Sequence, residues 1–127
     1  MVELSSPAEI RLPLLWIALL YGRVSTSLAA TTGVHSHLEA IKYLMAGADV
    51  VMSTSAVLQQ GPTFFARLLR EMTAWMERKG YTSVSQMRGS MSQQSVKDSS
   101  AFVRGNYIKV LESYTPRNVQ RMKPAAG

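Results

Sequence analysis

The most apolar run of the chain, Leu14-Leu15-Trp16-Ile17-Ala18-Leu19-Leu20-Tyr21, is closed by Gly22. A stretch apolar on all sides predicts a helix buried on several faces. It falls well short of the roughly 20 residues needed to cross a bilayer. Just upstream, Ser6-Pro7-Ala8-Glu9 is a helix-start signature, and Pro13 is expected to interrupt it, so that a short turn hands over to a helix at 14–21. Residues 24–30, Val-Ser-Thr-Ser-Leu-Ala-Ala, show no strict alternation, which predicts a parallel strand covered on both faces. They end in Thr31-Thr32-Gly33. A helix is expected at 36–47: Ser36 and Glu39 form a capping box, Leu38, Ile41, Leu44 and Met45 form the apolar stripe, and Gly47 stops it. A second strand at 49–52 runs into Ser53-Thr54-Ser55-Ala56. After Gly61-Pro62 the pattern predicts a long helix over 63–79, with Phe65, Leu68, Leu69, Met72 and Met76 on one face. Arg78 and Lys79 suit its last turn, and Gly80 ends it.

From 82 to 100 the chain is rich in Ser, Gln and Met and shows little periodicity, as a loop or linker would. Val103, Tyr107, Val110, Leu111 and Tyr114 recur at helical spacing, which predicts a helix at 101–114. The basic, Pro-containing end at 115–127 is expected to be disordered. The chain therefore divides into 1–80 with β/α units, 81–100 as linker or loop, the helix 101–114, and the tail 115–127.

The order helix, strand, helix, strand, helix predicts an α/β fold with two parallel strands, flanking helices and a C-terminal helical tail. Two strands cannot form an independent parallel sheet. A TIM (β/α)8 barrel takes about 200 residues or more, and this chain supplies the material of the C-terminal part of one. On that reading it is a fragment. Both strands end in glycine or small hydroxyl residues. In parallel α/β folds that edge binds ligands, and in β/α barrels the loops after strands 7 and 8 often hold a phosphate. The bland reading of Thr31 to Val34 and Ser53 to Ala56 is a pair of tight connections whose hydroxyls satisfy nearby backbone groups.

Composition narrows the chemistry. There is no cysteine, which excludes disulfides and Cys-ligated metal clusters. The net charge of +6 would suit anionic partners, but the basic residues are spread over the second half and form no stripe or known module. A solvated basic face is expected, not a nucleic-acid surface. No basic N-terminal region or cleavage site marks a signal peptide, and the expected location is the cytoplasm. His35 and His37 lack a third ligand nearby and are expected on the loop surface; no metal is predicted. Neither a nucleophile elbow nor a Walker-type loop is present. The methionines, Trp16, Trp75, Phe64 and Phe65 are expected to pack.

Three segments carry a resemblance: Leu12-Pro13-Leu14-Leu15-Trp16-Ile17-Ala18, Ala29-Ala30-Thr31-Thr32-Gly33-Val34-His35 and Leu44-Met45-Ala46-Gly47-Ala48-Asp49-Val50. With Glu77-Arg78-Lys79-Gly80-Tyr81-Thr82-Ser83-Val84 and Met87-Arg88-Gly89, their order and spacing resemble the C-terminal part of dihydroorotate dehydrogenase-like proteins. These are similar to class 1 dihydroorotate dehydrogenases and, more distantly, to the pyrimidine-reducing domain of dihydropyrimidine dehydrogenase. The resemblance covers about residues 4 to 114. It implies a flavin mononucleotide (FMN)-dependent β/α-barrel oxidoreductase that converts dihydroorotate to orotate in pyrimidine synthesis. It also implies that Thr32, Gly33 and Val34, with Thr54 and Ser55, hold the FMN phosphate. Typical relatives carry Gly-Gly at Thr32-Gly33 and Gly-Thr at Thr54-Ser55. The family's catalytic base, flavin-ring contacts and main substrate-binding residues lie in the first six β/α units, so no catalytic residue is assigned here. Flavin and a small pyrimidine are the implied partners of an intact enzyme, and the chain by itself is expected to be inactive. The alternative is a non-catalytic association module that forms homo-oligomers or pairs with a separate N-terminal half.

Overall fold

The computed structural model describes residues 3–95. The helix expected at 101–114 and the tail at 115–127 lie outside them.

A 3-10 turn, Pro7–Ile10, leads directly into helix α1, Arg11–Leu20. Pro13 does not break α1, because it falls in the first turn, where a backbone N–H has no helical partner to lose. Ile10, Leu15, Ile17 and Ala18 bury one side of this segment. The opposite side keeps Leu12 and Trp16 about half exposed.

Strand β1 is Ala29–Ala30 and strand β2 is Val50–Val51. They pair in parallel with Ala29 opposite Val50 and Ala30 opposite Val51. Both are shorter than expected, because residues 24–28 find no neighbouring strand to complete a ladder. The sheet is covered on one face only: Ala30 is buried, while Val50 is 52% exposed. The expectation of strands covered on both faces is therefore corrected.

Helix α2, His37–Ala46, makes the crossover between the strands. The Ser36 N–H and hydroxyl both donate to the Glu39 carboxylate, at 2.8 and 2.7 Å, closing the expected capping box. Ile41 and Leu44 of the expected stripe are buried and Met45 packs against them, but the buried face is wider than expected and leaves out Leu38. Leu38 is 46% exposed, and Tyr43 sits in the core at 0% exposure beside Ala40, Ile41 and Leu44. Helix α2 packs against α1 on one side and against α4 on the other.

After β2, residues Ser55–Gln60 form helix α3, a segment that carries no capping signal. Helix α4 is Phe64–Lys79 and ends at Gly80 in the left-handed conformation. Of the expected face, Leu68 is buried and Met72 and Met76 pack against the Ile41–Leu44–Met87 cluster, while Phe65 and Leu69 depart from it. Phe64 and Leu68 are buried, and Phe65 and Leu69 are about half exposed.

The stretch expected to be loop or linker, 81–100, carries structure over its described part. Helix α5, Val84–Met87, places Met87 at 0% exposure against Ile41 and Leu44. Gly89 N–H donates to the Leu44 carbonyl at 3.0 Å and Met91 N–H to that of Met45 at 2.8 Å. The Tyr21 ring lies between Gly47 and Gly89 so closely that a Cβ on either would overlap it. Trp75 stacks on Tyr81 with ring centres 5.9 Å apart. Among the described residues, no helix is long and apolar enough to cross a membrane.

Candidate functional site

The C-terminal ends of β1 and β2 open onto one cleft of about 110 Å³. Thr31, Thr32, Gly33 and Val34 line it from the loop after β1, and Met52, Ser53, Thr54 and Ser55 line it from the loop after β2. All five residues singled out from the sequence, Thr32, Gly33, Val34, Thr54 and Ser55, therefore border the same space. Parallel pairing brings this about, since both strands must end at the same edge.

Four further residues line it, Ser5, Thr31, Met52 and Ser53, and the hydroxyls of Ser5 and Ser53 brace it. Ser5 lines the cleft from the N-terminal side. Its N–H donates to Ser55 Oγ at 3.2 Å, and the two hydroxyls lie 2.8 Å apart. Ser55 is 9% exposed, so its side chain is tied to Ser5 more than it faces the cleft. Ser53 Oγ donates to the Val34 carbonyl at 2.7 Å and ties the two loops together. Ser53 had a local signal, being part of the hydroxyl-rich turn. Ser5 had none, because its partner lies fifty positions away.

Gly33 has φ +75, and a Cβ there would stand 3.1 Å from both Ile10 N and the Ser6 carbonyl oxygen. Its glycine is required by that backbone conformation and by close packing on the 3-10 turn. The preceding residue, Thr32, is the one non-glycine among the described residues with a positive φ, at +83. A β-branched side chain there is strained by roughly 1–3 kcal/mol.

Among the described residues, no charged side chain lines the cleft. What it offers is backbone: among the described residues, the N–H groups of Thr32, Gly33, Val34, Thr54 and Ser55 donate to no other group of the protein. Unpaired N–H groups on a small, open cleft can hold a compact oxyanion. The N-terminus of α2 is not part of it, since Ser36 is already bonded to Glu39. Beneath the loop, the Tyr43 hydroxyl lies 2.9 Å from the carbonyl oxygens of both Thr31 and Thr32. Burial pushes the Tyr43 phenol up to about 12.

The histidines separate. His37 Nδ1 lies 3.0 Å from Glu71 Oε2, an ion pair when protonated that links α2 to α4. His35, expected on the loop surface, is half-buried, and its Nδ1 is fully enclosed without a hydrogen-bond partner among the described residues. It does not line the cleft. No group of three metal-ligating side chains comes together among the described residues.

No family model matches the chain. It is 40% identical over 57 residues to the dihydroorotate dehydrogenase (fumarate) of Trypanosoma brucei brucei, covering 45% of this chain and 18% of that protein. To the enzyme of the same name from Lachancea kluyveri it is 34% identical over 62 residues, 49% of this chain and 20% of that protein. To that of Saccharomyces cerevisiae it is 31% identical over 70 residues, 55% and 22% respectively. The chain thus spans about a fifth of the length of the curated relatives it matches. Across about half of its own length it is similar to dihydroorotate dehydrogenases.

Proposed function

We propose that this chain is part of a dihydroorotate dehydrogenase-like, FMN-dependent oxidoreductase of pyrimidine biosynthesis, and that its cleft receives the FMN phosphate. One observation carries the reading: two loops that end parallel strands line one small cleft with residues whose backbone N–H groups have no partner among the described residues. The similarity to dihydroorotate dehydrogenases supports it. So does the fit, because the described lining of the cleft holds several donors and no carboxylate that would repel an anion. Thr32, Gly33, Val34 and Thr54 would hold the phosphate oxygens, while Ser55 and Ser5 brace the wall. FMN, when bound, supplies the two-electron redox chemistry of the dihydropyrimidine. These residues bind and orient its phosphate end. None of them is a candidate acid or base for the substrate.

The test is a fluorescence titration of the full chain with FMN and with riboflavin, which lacks the phosphate. The reading expects FMN to bind at least about tenfold more tightly, the worth of one charge-assisted hydrogen bond. Equal affinities, or no binding of FMN, would overturn it. The exposed Leu12 and Trp16 on α1, with Phe65 and Leu69 on α4, favour a second reading, an association module. A flavin-free chain that oligomerises with concentration is the outcome that supports it.

A further inference from the structure

The loop after β1 holds a strained residue, and the strain has a cause inside the core. Thr32 keeps φ +83 although glycine would adopt that conformation freely. Directly beneath it the fully buried Tyr43 hydroxyl contacts two successive carbonyl oxygens, those of Thr31 and Thr32, each at 2.9 Å. A phenol has a single proton to donate, so the two carbonyls share it.

Two carbonyls held this way fix more than themselves. In a trans peptide the C=O of one residue and the N–H of the next point in opposite directions, and no described peptide is cis. With the Thr31 carbonyl turned to Tyr43, the Thr32 N–H turns away from the core. With the Thr32 carbonyl turned the same way, so does the Gly33 N–H. Both residues line the cleft, and neither N–H donates to the protein among the described residues. The same contact removes two carbonyl oxygens that would otherwise repel an anion.

We propose that Tyr43 is a positioning residue: by drawing the Thr31 and Thr32 carbonyls to the core, it presents the Thr32 and Gly33 N–H groups as a donor pair to a phosphate monoester in the cleft. The positive φ of Thr32 is the conformation in which the loop makes both contacts. The proposal rests on reading the cleft as a phosphate site, and it adds a residue that touches no ligand.

The experiment uses the full chain with inorganic phosphate and FMN as probes. Backbone amide shifts follow binding, and HN–Hα couplings report φ at Thr32 and Gly33. Tyr43→Phe keeps the ring that fills the core and removes only the hydroxyl. Thr32 is then expected to leave the positive-φ region, and affinity for both probes to fall about tenfold or more. Adding Thr32→Gly to Tyr43→Phe is expected to bring affinity back to within about threefold of the parent, since glycine reaches the same conformation unaided. A packing role for Tyr43 would not be rescued from position 32. Unchanged couplings and affinity in Tyr43→Phe, or a folded double variant without rescue, would overturn the role of Tyr43. Failure of the parent chain to bind either probe would instead overturn the phosphate reading, and the couplings would still decide what Tyr43 does to the loop.

Discussion

The two ends of the same strand pair are built to opposite rules. Where β1 and β2 begin, the Asp49 carboxylate accepts the Leu28 N–H at 2.8 Å and Arg88 Nη1 at 2.5 Å, so one side chain clasps both strand starts and the end of α5. Where they end, N–H groups have no partner among the described residues, a threonine is held at positive φ, and the tethering bonds come from beneath. The first end closes its polar groups, and the second keeps them open at a cost in strain. Barrel proteins divide labour between their two faces in the same sense, stability at the strand starts and ligands at the strand ends.

The largest effect that would sharpen this contrast is expected in alkali. Tyr43 titrates near 12 in the folded chain, against 10 in the unfolded one. Below pH 10 both states keep the proton, and stability does not depend on it. As pH rises from 10 to 12 only the unfolded chain releases the proton, so stability falls, by about 2–3 kcal/mol in all. Urea denaturation across that range should show the loss in the parent, and Tyr43→Phe should lack this component.

A smaller effect is expected at the closed end. Asp49→Ala leaves the Leu28 N–H unpaired and breaks a half-exposed ion pair, at a cost of about 1–2 kcal/mol. Calorimetry should show a lower Tm, while affinity for inorganic phosphate stays unchanged. A fall in affinity would break the contrast, because it would make the closed end part of the site.

The smallest effect has the opposite sign. Thr32→Gly relieves the positive φ but frees the unfolded chain, and is expected to stabilise by about 1 kcal/mol net. Destabilisation on denaturant titration would mean that the threonine side chain contributes packing that outweighs its strain.

What could be read from the sequence was local. The α2 capping box at Ser36 and Glu39 and the stop of α4 at Gly80 involve residues within a turn of each other, and both were legible. The convergence of Thr32 to Val34 with Thr54 and Ser55 was legible as well, because it follows from parallel pairing. Strand length was not, since it depends on a neighbour for residues 24–28. Nor was helix α3, which starts at Ser55 without a side-chain cap. The middle of each expected stripe, Ile41 and Leu44 in α2 and Leu68 in α4, is buried. Its edges at Leu38, Phe65 and Leu69 are exposed and the core takes Tyr43 and Phe64 instead, because apolar residues occupy more than one face of each helix. The contact of Tyr43 with the loop after β1 was invisible: its partners lie eleven and twelve positions earlier, and only the fold aims its hydroxyl at them.

The half-exposed apolar flanks have a consequence for assembly. Helix α2 is covered on both sides, but Leu12 and Trp16 mark one outer flank and Phe65 and Leu69 the other. The two flanks are unlike one another. A contact between copies through them joins head to tail and has no two-fold axis, so each added copy presents the same free flank as the last. Such a series stops only if the turn between neighbours closes a ring, and otherwise it grows as an open filament.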